Sequence, residues 1–159
     1  MGAKSEALAK QFQAKVAEAT AVIEKLTDGD WRKVTAAEKW PVGVTAHHVA
    51  GAHEPIANIV KAVATGQSMG NFTMAMLDEL NAKHAKEFAS CTKAETLDLH
   101  KKGAAAAAAV VRGLSDDQLS KSGTVLSDAP PMTAEQVITG VLISHIDDHF
   151  GSIRKTVGH

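Results

Sequence analysis

Apolar residues recur along this chain at intervals of three and four, the spacing of one helical face, and almost nowhere in the strict alternation of a strand. From Lys4 to Leu26 the stripe is Leu8, Phe12, Val16, Ala19 and Ile23, and Thr27-Asp28-Gly29 ends it. Asp30 to Trp40 has no sustained period and reads as a connection. Trp40 precedes Pro41, which disfavours αR at Trp40 and suits the first helical position, so a second helix is expected from Pro41 to about Gly66. Its stripe is Val44, His48, Ala52, Ile56, Ile59 and Val63, and Pro55 inside it predicts a kink against the carbonyl of Gly51. Thr73 opens a shorter segment with Met76, Leu77, Leu80, His84 and Phe88. Thr92-Lys93-Ala94-Glu95 and Thr133-Ala134-Glu135-Gln136 are capping-box patterns that open helices to about Gly113 and Val157, with Pro130 and Pro131 before the second. Segments 74–90 and 92–113 read as two helices or one broken helix, and Ser115-Asp116-Asp117-Gln118 as one extra turn in the loop between Leu114 and Met132. The expectation is an all-α four-helix bundle forming a single domain over residues 1–159.

Composition narrows the setting. Lysine plus arginine number 17 against 18 acidic residues, so the net charge of -1 gives no footprint for nucleic acid. Ala104 to Val111, the most apolar stretch, is far shorter than the ~20 residues of a membrane span. Met1 to Lys10 lacks the apolar run of a secretory signal, and Cys91 is the single cysteine, so a reducing, cytoplasmic setting is expected. Cys91 itself reads as a buried small hydrophobe at a helix break. Met69, Met74, Met76 and Met132 read as core filling, and Trp31 and Trp40 as packing for the connection between the first two helices.

The chemistry lies in the histidines, of which there are eight. In the last helix, His145-Ile146-Asp147-Asp148-His149 sets two imidazoles one turn apart, a spacing at which both can bind one ion. Their register matters more, because Ile138, Leu142, His145, His149 and Ile153 fall on one stripe, where the imidazoles interrupt an apolar face. A buried imidazole left without partners costs about 1–3 kcal/mol, so two stacked there call for a shared explanation: a metal, a carboxylate or a polar pocket. His48 interrupts the second helix's stripe in the same way and is the candidate third ligand. His47 and His53 point elsewhere around that helix and read as partly exposed surface residues. On spacing alone, satisfied core histidines bonded to Asp147, Asp148 or backbone carbonyls are favoured over a metal site.

Two stretches resemble signature regions of the DinB/YfiT-like superfamily of metal-binding four-helix bundles. Trp40-Pro41-Val42-Gly43-Val44-Thr45-Ala46-His47-His48-Val49-Ala50 is similar to that family's tryptophan followed eight residues later by a histidine and an aliphatic residue. Leu142-Ile143-Ser144-His145-Ile146-Asp147-Asp148-His149-Phe150-Gly151-Ser152-Ile153-Arg154 is similar to its last-helix pattern. Leu77-Asp78-Glu79-Leu80-Asn81-Ala82 resembles a third, weaker stretch. Pro41 stands where the family usually has serine. The resemblance implies a divalent ion, zinc or nickel first and iron or manganese next, held by His48, His145 and His149. It also implies an enzyme using a low-molecular-weight thiol on an electrophilic small molecule, and a homodimer from family habit. Of the family's activities the thiol S-transferase is preferred over the isomerase, whose members often carry Glu at the position of His145 together with a second domain.

Other polar residues enter only at the margin. Asp148 is a candidate partner that orients an imidazole, or a base for a metal-hydroxide hydrolase. Asn81 and His84 share a helical face and, with Trp40, are candidates for the substrate pocket. The competing reading is a non-catalytic binding or stress-response module in which any ion is structural.

Overall fold

A computed structural model describes residues 2–158. The elements are α1 (Ala3–Lys25), α2 (Asp28–Arg32), α3 (Val42–Ala64), α4 (Met74–Glu87), α5 (Lys93–Arg112), α6 (Asp116–Ser120), the two-residue strands β1 (Ser122–Gly123) and β2 (Met132–Thr133), α7 (Ala134–Val137), a π-helical stretch over Ile138–Ile143, and α8 (Ser144–Val157). The all-α reading holds, and the two segments left open in the sequence are separate helices. Both expected capping boxes form: the Thr92 hydroxyl accepts from the Glu95 amide and the Thr133 hydroxyl from the Gln136 amide. The loop after α5 contains the expected extra turn, α6. Its unexpected feature is the β1–β2 antiparallel pair.

Four long rods make the bundle: α1, α3, α5 and the continuous run of α7, the π stretch and α8. α1 and α3 each pack on α5 and on α8, so the order around the bundle is α1, α5, α3, α8. The first two long helices therefore sit on a diagonal, and the intervening segment from α2 to Pro41 must cross the end of the bundle. Phe12, Ile23, Val49, Val60, Ala107, Val111, Leu142, Phe150 and Ile153 fill the core. α3 and α5 approach closely, because a Cβ on Gly103 would sit 3.2 Å from the Ala50 carbonyl.

Three expectations need correction. The apolar row of α8 is Leu142, Ile146, Phe150 and Ile153, all buried. His145 and His149 lie one position to its side and are only half-buried, so they flank the core face rather than interrupt it. His47 and His53 are not surface residues: 6% and 1% of their surface is exposed. Met69, Met74 and Met76 are exposed, while Met132 is half-buried against the core. Pro55 lies inside α3, as the sequence places it, on the solvent side.

His53 is kept company by another histidine that no local pattern flagged. His53 Nε2 and His100 Nδ1 are 2.9 Å apart, and His100 Nε2 donates to the Val16 carbonyl at 3.2 Å. Because the His100 Nε2 carries the hydrogen, its Nδ1 accepts from His53 in the neutral pair. Phe12 packs edge-on against His53, so the pair joins α1, α3 and α5 in the core. Burial, reinforced by repulsion from His100, depresses the His53 pKa to about 3.

Two predictions follow from this packing. With a folded pKa near 3 and an unfolded value near 6.5, His53 takes up a proton only on unfolding between those limits. Its contribution is intact above about pH 6.5 and is lost at about 1.4 kcal/mol per pH unit below it. Urea titrations of metal-free protein at pH 7.5, 6.5 and 5.5 measure this, and the slope should shrink by at least one proton in the double variant His53→Leu, His100→Leu, since burial lowers the His100 pKa as well. At the entry to α3, a Cβ on Gly43 would lie 2.2 Å from the Trp31 ring. Gly43→Ala must therefore displace Trp31, whose indole donates to the Cys91 carbonyl at 3.0 Å. Overpacking of this kind costs about 1–3 kcal/mol, measurable as a lowered urea midpoint.

Candidate metal centre

The centre is built where the start of α3 faces the start of α8. His48 lies in the second turn of α3, and His145 and His149 are consecutive turns of α8. Each of the three offers one ligand atom, and these atoms lie within 4.8 Å of one another. Among the described residues no other group of three or more candidate metal-binding side chains meets that test. His48 Nε2 and His145 Nε2 are 2.9 Å apart. Two nitrogens on a tetrahedral ion with bonds of about 2.0–2.1 Å would be separated by about 3.3 Å, so a shift of a few tenths admits one.

The ring orientations have local causes. The π stretch directly precedes α8; such interruptions of the regular ladder are often found at functional sites, and here the row of His145 and His149 faces α3 while Ile146 and Phe150 face the core. The Trp40 ring packs edge-on to His48 with centroids 5.2 Å apart. Trp40 itself belongs to a pinched loop closed by a bridge between Val34 and Pro41. Within the loop the Thr35 amide donates to the Trp40 carbonyl at 2.9 Å and the Val42 amide to the Lys33 carbonyl at 2.7 Å. Lys39 adopts φ of 62°, the left-handed region, to complete the turn.

That turn delivers Glu38, which the sequence reading passed over. His149 Nδ1 donates to Glu38 Oε2 at 2.6 Å, and the Ser152 hydroxyl, one turn further along α8, donates to Oε1 at 2.6 Å. Burial works to raise the Glu38 pKa, but hydrogen bonds from Ser152, His149 and Thr35 outweigh it and hold the carboxyl below its ordinary value. An ionised Glu38 fixes the tautomer of a neutral His149: the hydrogen is on Nδ1, and the Nε2 lone pair is free for an ion. A carboxylate behind a histidine is the usual outer partner of a metal-binding imidazole. Asp148, the candidate for that role, is exposed and meets only the Ser144 hydroxyl at 3.4 Å.

The donor set fits a divalent ion. Burial above all, then repulsion from neighbouring histidines, depresses the pKa of His48 and of His145 to about 3 each, so both offer neutral nitrogen at physiological pH. His145 Nδ1 is buried with no partner. Three imidazoles without a fourth protein donor are the set of sites that leave a position for an exogenous ligand.

Of the pocket candidates, His84 joins the cluster and Asn81 makes no hydrogen bond to it. His84 Nε2 lies 2.8 Å from His47 Nδ1, and the His84 and His48 rings are 5.5 Å apart. Phe88 stacks on His47 at 4.2 Å. Cys91 stands apart: it is half-buried, its thiol donates to the Gly43 carbonyl at 3.4 Å, and burial raises its pKa, which disfavours the reactive thiolate.

Fold and cluster together define a four-helix bundle with a three-histidine centre between two of its rods. Residues 12–142 match the mycothiol maleylpyruvate isomerase N-terminal domain, and the chain belongs to that family. Among solved structures it is similar to YfiT from Bacillus subtilis, described as a probable metal-dependent hydrolase with an unusual four-helix bundle topology. There the TM-score is 0.76 at 18% identity, covering 99% of this chain and 90% of that one. It is also similar to the mycothiol-dependent maleylpyruvate isomerase, with TM-score 0.73 at 13% identity, covering 94% of this chain. This chain spans 60% of the length of that isomerase. No curated protein matches the sequence. These likenesses establish the DinB-like bundle expected from the sequence motifs. At such identities the structural matches speak to fold alone.

Glu38→Gln tests the role of the carboxylate. The amide keeps the shape but loses the charge, and metal affinity should fall by about 10–100-fold with the helical signal unchanged, measured by competition with a chromophoric chelator.

Proposed function

We propose that this protein is a divalent-metal enzyme that uses a low-molecular-weight thiol on an electrophilic small molecule, in the manner of a thiol S-transferase. The observation that carries the reading is the convergence of His48, His145 and His149 with Glu38 behind His149. An ion that only tied α3 to α8 would call for a closed donor set, and this cluster supplies three donors. A divalent ion held there supplies the Lewis acidity that makes a neighbouring thiol easier to deprotonate. Zinc or nickel suits three imidazoles, and iron or manganese can also be accepted.

The protein's own groups divide the remaining work. Glu38 and Ser152 fix the His149 ring so that one nitrogen faces inward. Trp40 holds the His48 ring edge-on, and with His84, whose ring is 5.5 Å from that of His48, it would line the side from which a small molecule enters. A hydrolytic reading, drawn from the description of the YfiT relative, would need a carboxylate free to act as base. Glu38 accepts hydrogen bonds at both oxygens, and Asp148 is out in solvent, which favours the thiol reading.

Elemental analysis of untagged protein after chelation and reloading tests the centre. Wild type should hold about one ion per chain, and His48→Ala, His145→Ala and His149→Ala should each lose it; a wild type that reloads nothing overturns the proposal. In the cobalt-loaded protein, added thiol should change the visible spectrum, whereas a closed structural site would ignore it. A cytoplasmic homodimer belongs to the same reading, and a monomer mass by light scattering would exclude the dimer.

A further inference from the structure

α4 is a helix of 14 residues that buries none of them completely. Its inner row, Leu77, Asn81 and His84, is half-buried against the bundle, with Phe88 just beyond its end, and its outer face is bare. Among the described residues the exposed large hydrophobic side chains are Val34, Met69, Met74, Met76 and Leu80, so all but Val34 lie on α4 or in the loop that enters it. Exposed apolar residues scattered singly need no explanation, but a concentration of them on one helix does. Met76 and Leu80, 46% and 54% exposed, share a row with Lys83 and Glu87 at steps of four, three and four, the spacing of a seam between two helices. Glu79 and Lys86 run along one side of that row. Among the described residues none of these four charges has an ion-pair partner in its own chain, whereas Lys4, Lys15 and Arg112 reach carboxylates on other helices.

The order of charges along this face decides what fits it. A second copy of α4 laid antiparallel, with Leu80 opposite the partner's Ala82, sets Glu79 opposite the partner's Lys83 and Met76 opposite the methylene stem of the partner's Lys86, and the two-fold axis repeats each pairing. Glu87 then faces the first turn of the partner's α4, where the helix dipole favours an anion. A parallel pairing would instead oppose Lys83 to Lys83 and Glu79 to Glu79. We infer that this face of α4 is the interface of a homodimer whose two α4 helices lie antiparallel across a two-fold axis. The inference gives a surface to the homodimer named with the thiol reading, rests on that part of the reading alone and needs no metal. A helix of this length is about 21 Å long and about 11 Å across. That is well below the about 800 Å² per partner of a standard interface, so dimer and monomer exchange over a measurable concentration range, and salt shifts the balance toward monomer. Because His84 lies on the inner row of the same helix, pairing also holds the segment that carries it against His47 of α3.

The test is sedimentation equilibrium on the full chain, for wild type, Leu80→Lys, Glu79→Lys and the double variant Lys83→Glu, Lys86→Glu, with helical signal and urea midpoint measured on each. Wild type should dimerise, and the dissociation constant should rise about tenfold or more in Leu80→Lys. Each charge variant alone should also associate about tenfold or more weakly, because like charges now meet at both ends of the seam, while an equal mixture of the two should dimerise within about threefold of wild type. The mixture separates pairing between copies from any effect of the charges inside one helix, since each chain in it keeps its own altered helix. Charge variants that dimerise on their own as wild type does, or a mixture that stays weak, overturn this surface and leave the homodimer to another face. Loss of helical signal in a charge variant overturns it as well, by showing that the charges serve α4 within one chain. A wild type that is monomeric up to its solubility limit overturns the surface and the homodimer together, and leaves the metal centre standing.

Discussion

An imidazole removed from water must stay uncharged and must still find partners for two ring nitrogens, and this bundle is organised around imidazoles that meet the demand at one nitrogen in pairs while Nδ1 of His84 and of His145 stays without a partner. His53 answers His100 in the core, His47 answers His84 under α4, and His48 answers His145 at the head of α8. Among the described residues, His149 is the histidine tied to a carboxylate. Neutrality and directed lone pairs are also what a borderline divalent ion requires of its ligands. The condition that lets these rings be buried is thus the one that lets three of them serve as donors.

The helices carry the pairs, and the connections give them direction. Because α1 and α3 lie across a diagonal, the chain between them must traverse the end of the bundle, and it passes over the three-histidine cluster as it does so. The pinched loop from Val34 to Pro41 uses that passage to place Glu38 behind His149 and Trp40 against His48. On the other side, the connection between α3 and α5 contributes α4, a helix with no fully buried residue that nevertheless brings His84 to His47. Rigid rods hold the donor nitrogens, and two crossing segments supply the groups that tune and surround them.

Much of this was readable in the chain. The period of three and four gives α1 and α3; the capping boxes at Thr92 and Thr133 start α5 and α7 where expected; and His48, His145 and His149 were selected before any contact was known. The readings that failed did so for a common reason. His53 and His47 were assigned to the surface because they lie off the stripe of α3, yet the first turns of α3 are buried on all sides, since α5, α8, α4 and α2 surround them. The row of α8 was misplaced by one position because the preceding π turn and the choice between two adjacent rows do not show in hydrophobic spacing. Glu38 lay in a segment without period, where nothing local says which way a carboxylate points.

By itself, then, the sequence determined the helical class, the starts of the capped helices and the identity of the imidazoles that could share an ion, because caps, periodicity and i to i+4 spacing are properties of neighbouring residues. Only the tertiary structure decided the diagonal order of the rods, the partners His100 and His84, and the carboxylate of Glu38. Each of those depends on side chains separated by 37 to 111 positions, which no local pattern couples and which meet only when the helices pack.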